Sequence, residues 1–179
     1  MAWWSRERDS QIADGEITTV TGVVRPVGPL LEAPLSGRPS VAYTSTARIG
    51  TRRIRMSYGL RHLITADERR AVPFDLETRD RVIRIDVTEV DLAIEAVSSV
   101  PRHLERERAF LDRLARGSID VRLSMFEERC LEPGASVQVS GLAVAEADAM
   151  RSEQGFRDAP TRFRIIEHVS HVVRIRSAR

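Results

Sequence analysis

What most constrains this chain is a recurrence of short, β-branched runs closed by proline or glycine, with one stretch of helical period among them. "EITTVTGVVRPV" (16–27) is the first such run and reads as a strand. Gly22 inside it marks a bulge or a close backbone approach, and Pro26, Gly28 and Pro29 end it. "SVAYTSTARIG" (40–50) alternates, with Val41, Tyr43, Ser45 and Ala47 on one face and Ala42, Thr44, Thr46 and Arg48 on the other. Thr51 to Tyr58 is expected to return as the second arm of a hairpin turning at Gly50, with Ile54 and Met56 inward. "RHLITADERRAV" (61–72) is polar and shows no clear period.

The runs "VPFDLET" and "RVIRIDV" read as a hairpin turning at Thr78-Arg79-Asp80. Phe74 and Leu76 form one apolar face, and Ile83, Ile85 and Val87 lie opposite Val82 and Arg84. The period then changes. In "PRHLERERAFLDRLAR" (101–116) Leu104, Leu111, Leu114 and Ala115 share a helical face, with Pro101 suited to the start and Gly117 to the stop. Strands resume at "SIDVRLSMFEERCL" (118–131), turn at Glu132-Pro133-Gly134, and continue in "ASVQVSGLAVAEAD" (135–148), whose inward row of Val137, Val139 and Leu142 is disturbed at Gly141. "TRFRIIEHVSHVVRIRS" (161–177) supplies the last strand or strand pair.

Short strands linked by turns predict a mainly β (α+β) fold, a small antiparallel barrel or sandwich with one prominent amphipathic helix at about 101–116. An open parallel sheet is disfavoured because it needs helical crossovers. The expected organisation is a flexible N-terminal segment at 1–14 and a single β-rich domain at 15–179.

Charge excludes less than it first suggests. The pI is about 9.3, yet the net charge is only +2, and all 28 basic residues are arginine. Without lysine almost nothing titrates between neutral pH and the tyrosine range, so a small surplus lifts the pI far. The absence of lysine fits GC-rich bacterial coding and removes Schiff-base or Ser-Lys chemistry. A single cysteine, Cys130, excludes an internal disulfide and a cysteine-based zinc site. No apolar run is long enough for a transmembrane helix, and the charged start is not expected to act as a signal peptide. Trp3 and Trp4 are expected to pack or stay loose. The cytoplasm is the expected location, with peripheral attachment to a membrane left open.

Catalytic and metal motifs are missing: neither glycine-rich phosphate loop, nor H-E-x-x-H, nor G-x-S-x-G occurs. His168 and His171 stand three apart, which on a strand puts them on opposite faces, and His62 and His103 have no partner motif. Asp86, Glu89, Asp91 and Glu95 read as a solvated face, although clustered carboxylates can hold a cation. Glu127-Glu128 reads as a solvent-facing strand end in preference to an acid-base pair, and Cys130 as a buried, inert thiol. Ser36 lacks an evident base. No cofactor, metal or catalytic residue is expected.

Three separated stretches carry a resemblance: "GVVRPVGPLLEAPLSGRPSVAYT" (22–44), "VPFDLETRDRVIRIDV" (72–87) and "EERCLEPGASVQVSGLAV" (127–144). In this order they resemble the GIDE domain family, the module between the transmembrane helices of a mitochondrial ubiquitin ligase, which also has bacterial relatives. The resemblance spans roughly 16–176. It implies a β-rich module for recognition or regulation, with Pro34, Pro39, Pro73, Phe74, Pro133, Gly134 and Gly141 as its structural positions. It implies no ligase activity here, because one cysteine cannot build a RING finger. Ser40 stands where bacterial relatives often have cysteine, and Ala135 where the family usually has aspartate.

Three functions compete. A protein partner is expected for an interaction module, engaged through Leu35, Ser36, Gly37 and Arg38, a barrel face or an edge strand. The alternative is an OB-like nucleic-acid-binding barrel using the arginines of "TRRIRMSYGLRH" (51–62) and "TRFRIIEHVSHVVRIRSAR" (161–179), although only Tyr58, Phe156 and Phe163 offer stacking beside them. The third is a hydrolase without a recognisable motif, built on Ser36, Arg38, His168 and Glu127/Glu128.

Overall fold

β-Branched residues dominate the first long strand, and the computed structural model shows what they close upon. It describes residues 12–49, 64–95, 103–114, 124–147, 161–166 and 172–178. The elements in chain order are β1 (Ile17–Pro26), β2 (Leu31–Glu32), β3 (Pro39–Ser40), β4 (Ala42–Ile49), β5 (Ile64–Ala71), β6 (Phe74–Glu77), β7 (Val82–Asp86) and β8 (Asp91–Ala93). α1 (Leu104–Leu114), β9 (Ser124–Leu131), β10 (Ser136–Ala147), β11 (Thr161–Ile166) and β12 (Arg174–Ser177) follow.

Five strands close into a barrel in the order β1-β6-β7-β11-β10, with β10 pairing back onto β1. All joints are antiparallel except β7–β11, which is parallel. This is the strand order and direction of an OB-type Greek-key barrel. β12 and β8 extend one side of it. Alternation drives the interior: Val24, Phe74, Leu76, Ile83, Ile85, Val137, Val139 and Ile165 are all buried there, and their odd-numbered or even-numbered neighbours face out. The β6–β7 hairpin turns where the sequence predicts. The Thr78 N–H donates to the Arg81 carbonyl at 2.9 Å, and the Arg81 N–H donates to the Thr78 hydroxyl at 3.2 Å.

Two glycines let so small a ring close. Just after Gly22, at Val23, β1 passes from β10 to β6, and a Cβ on Gly22 would lie 2.6 Å from the Glu77 carbonyl oxygen. At Gly141 the far edge of β10 passes from β12 to β11, and a Cβ would lie 2.5 Å from Ile165 Cγ2. The expected disturbance at Gly141 is this change of partner. Leu142, expected inward, lies beyond it on the outer wall, because Val137, Val139, Gly141 and Ala143 take the inward parity.

A second sheet, β5-β4-β9, is antiparallel throughout and carries α1 and the β2–β3 hairpin on one face. Along the whole of β4, β5 is the partner. The strand therefore comes from the polar stretch that shows no period, and the expected return arm at 51–58 lies outside the described residues. The helix forms inside the expected span, with Glu105 and Glu107 in its first turn and Arg113 in its last, as the helix dipole favours. Its packed face differs. Phe110 and Leu111 are buried with Leu35 and Ala47, and Glu107 is buried too, while Leu104 is 58% exposed. The receiving cluster meets the helix from Phe110 onward, so Leu104 overhangs it.

Trp3, Trp4 and most of the expected N-terminal segment lie outside the described residues. Ile12 already packs against the barrel core, and Asp14 Oδ1 accepts from the Ala145 N–H at 2.8 Å.

Candidate functional site: the strap over the three-stranded sheet

The register of the second sheet builds a grid on its covered face. Phe126, Ala47 and Ala66 form one row; Glu128, Ser45 and Glu68 the next; Cys130, Tyr43 and Arg70 the third. Over it lies a strap, residues 31–40. Its arms pair Leu31 with Ser40 and Glu32 with Pro39. Its tip is a tight turn in which the Gly37 N–H donates to the Ala33 carbonyl at 2.8 Å and the Ala33 N–H donates to the Arg38 carbonyl at 3.0 Å. Gly37 has φ +73°, the left-handed conformation glycine tolerates best. The Arg106 guanidinium comes within 3.0 Å of where a Cβ would sit, but its flexible tip can move aside, so it is the backbone conformation that favours glycine here.

Glu128 fastens the strap. Its carboxylate is 1% exposed and accepts from the Leu35 N–H at 2.9 Å, the Ser36 N–H at 2.9 Å and the Ser45 hydroxyl at 2.8 Å. Burying a carboxylate costs several kcal/mol unless donors replace its water, and here three neutral donors do so. The expectation of a solvent-facing Glu127-Glu128 strand end is corrected for Glu128. Consecutive strand residues face opposite ways, so Glu127 points to the outer face, where it pairs with Arg129 and Arg48. The parity was readable, since Glu128 alternates with Phe126 and Cys130.

Two half-exposed ion pairs flank the strap. Arg38 Nη1 reaches Glu132 Oε1 at 2.9 Å, and Arg106 Nη1 of α1 reaches Glu32 Oε1 at 2.8 Å. The Ser36 hydroxyl stands 4.0 Å from Cys130 Sγ. Burial, and then the Glu128 charge, push the Cys130 thiol up to about 12. Beside it the Tyr43 hydroxyl donates to Glu68 Oε1 at 2.5 Å, and Arg113 bridges the other Glu68 oxygen at 3.0 Å, tying helix to sheet. Burial and the bond to Glu68 raise the Tyr43 phenol to about 12.

Of the structural positions named from the sequence, Pro73, Phe74, Pro133 and Gly134 lie at the joint between sheet and barrel, Pro34 and Pro39 in the strap, and Gly141 farther along β10. Pro34 is half-buried in the strap turn, and exposed Pro39 begins β3. Pro73 is exposed between β5 and β6, and Phe74, fully buried, pairs with Pro26 at the end of β1. Pro133-Gly134 joins β9 to β10, with the Gly134 N–H on the Val24 carbonyl at 2.9 Å and the Val24 N–H on the Ala135 carbonyl at 3.0 Å. The three stretches 22–44, 72–87 and 127–144 thus touch one another. Ser45, Glu68 and Tyr43 were not singled out from the sequence, because only the sheet register brings them beside Glu128.

His62, His168 and His171 lie outside the described residues, and His103 is exposed ahead of α1. Asp86 and Asp91 pair with Arg164 and Arg174. Among the described residues no cluster of histidine, cysteine and carboxylates could hold a metal ion, and no helix is long and apolar enough to cross a membrane. No protein-family model, curated protein or solved structure matches the chain.

Proposed function

We propose that the chain is a non-enzymatic protein-interaction or regulatory module of the kind the GIDE resemblance implies, working in the cytoplasm. The observation that carries this reading is an apolar row on the outside of the barrel. Ile17, Leu142 and Ile166 are register partners across β1, β10 and β11, and Ile17 is 55% exposed. Val144 extends the row along β10, and Arg164, bridged to Asp86 and Glu146, borders it. An apolar centre with a charged rim is the anatomy of a protein interface. The strap groups do not add to this surface: Ser36, Gly37 and Arg38 are engaged by Glu128, Arg106 and Glu132, an arrangement that supports a structural use of the loop and leaves the barrel wall as the partner surface. Affinity purification tests the reading with wild type and Ile17→Asp. A partner retained by wild type and lost by a variant of unchanged stability is expected; a partner indifferent to the substitution, or none, refutes it.

The OB-type strand order favours the nucleic-acid alternative. Against it, several arginines on the barrel wall are matched to carboxylates: Arg25 to Glu77 at 2.7 Å, Arg84 to Asp75 at 2.6 Å, and Arg174 to Asp91 at 2.9 Å. Phosphates would have to compete with these partners. Oligonucleotide affinity that falls steeply with salt would restore this reading.

A further inference from the structure

The fastening of the strap is unusual in what it lacks. Glu128 is buried, yet among the described residues it pairs with no cation, and its three donors are neutral. Opening the strap would return the carboxylate and two backbone N–H groups to water, so the bonds lost are largely replaced by hydration. The two flanking ion pairs are half-exposed and hold weakly. What remains is the apolar anchoring of Leu31, Ala33 and Leu35 in two small clusters, set apart from the large barrel core, and the burial of Ser40 at the end of the strap. Segments held this way open locally before the whole molecule unfolds.

We propose that residues 31–40 form a gate that opens as a unit while the barrel and the three-stranded sheet stay folded, uncovering Ser45, Glu128 and Cys130. The strap is thus a conformational device, and Glu128 fixes its closed position more than it stabilises it. This goes beyond the interaction reading and does not depend on it.

Cys130 is the only cysteine in the chain, so a thiol reagent reports on this face alone. N-ethylmaleimide labelling of the full chain should run faster than global unfolding and depend little on low denaturant concentrations. Glu128→Gln keeps the shape but sets an amide NH₂ against one of the strap N–H donors; it should speed labelling about tenfold. Arg38→Ala should speed it about threefold or less. Hydrogen exchange at the Leu35 and Ser36 amides, which is indifferent to thiol chemistry, should accelerate in parallel while barrel amides are unchanged. Labelling that matches the rate and denaturant slope of global unfolding would overturn the gate. So would fast labelling that neither variant alters, since the thiol would then be reached without opening. If Glu128→Gln does not fold, the double variant Arg38→Ala/Arg106→Ala decides by the same readouts.

Discussion

Replacing Gly22 with alanine tests whether the barrel closes as described. The new Cβ would meet the Glu77 carbonyl oxygen at 2.6 Å and Leu76 Cγ at 2.8 Å. Ordinary contact needs roughly 0.6–0.8 Å more, and the first obstacle is backbone that cannot rotate away. Glu77 is also the residue that pairs with Val23 where β1 joins β6, so relief must come from prising this joint apart. Overpacking a core costs about 1–3 kcal/mol, and a weakened ladder hydrogen bond adds about 1 kcal/mol, giving about 2–4 kcal/mol. For a chain of this size that lowers Tm by roughly 5–15 °C. Gly28→Ala is the control, because none of the described residues lies within 4 Å of a Cβ there and no positive φ is involved. It should be neutral or stabilise by up to about 1 kcal/mol through the unfolded chain. Urea unfolding of both variants gives the comparison. Equal stability of Gly22→Ala and Gly28→Ala would refute the close approach of β1 to β6, and with it the reason for glycine at this corner.

Two further outcomes follow from buried groups. In a chain without lysine the alkaline range is nearly silent, so the Cys130 thiol and Tyr43 phenol should dominate it. Both are held near 12, above their ordinary 9.0 and 10.0, so the folded state keeps protons that the unfolded state releases. Their stabilisation is complete below pH 9 and is lost as pH rises toward 12, at about 1.4 kcal/mol per pH unit for each group. The urea midpoint should fall across this window, with Cys130→Ala removing the fall between pH 9 and 10 and Tyr43→Phe flattening it above 10; a level midpoint refutes both assignments. The Ser40 hydroxyl is fully buried and has no hydrogen-bond partner among the described residues. Ser40→Ala should therefore raise stability by about 1 kcal/mol in the same assay, and a comparable loss would show that the hydroxyl is bonded.

The β6–β7 hairpin, the α1 span and the faces of β4 were legible because each depends on neighbours a few residues away. β5 was not. "ITADERRA" has no apolar stripe, since one face lies partly under the helix and the other carries the exposed Asp67–Arg69 pair. Pairing with β4 makes it a strand, and pairing is not a property of the segment.

Sequence alone determined the local geometry: where the chain turns, which residues alternate, and that the strand pattern is interrupted at Gly22 and Gly141. Tertiary structure alone decided what those preferences serve. It brought β11 parallel to β7 to close the ring, and it turned Glu128 from one of two adjacent acids into the buried carboxylate that holds a strap some 90 residues away in the chain. The physical reason is range. Turn and alternation preferences act over a few residues, whereas the burial of a charge depends on which distant donors the closed fold places around it.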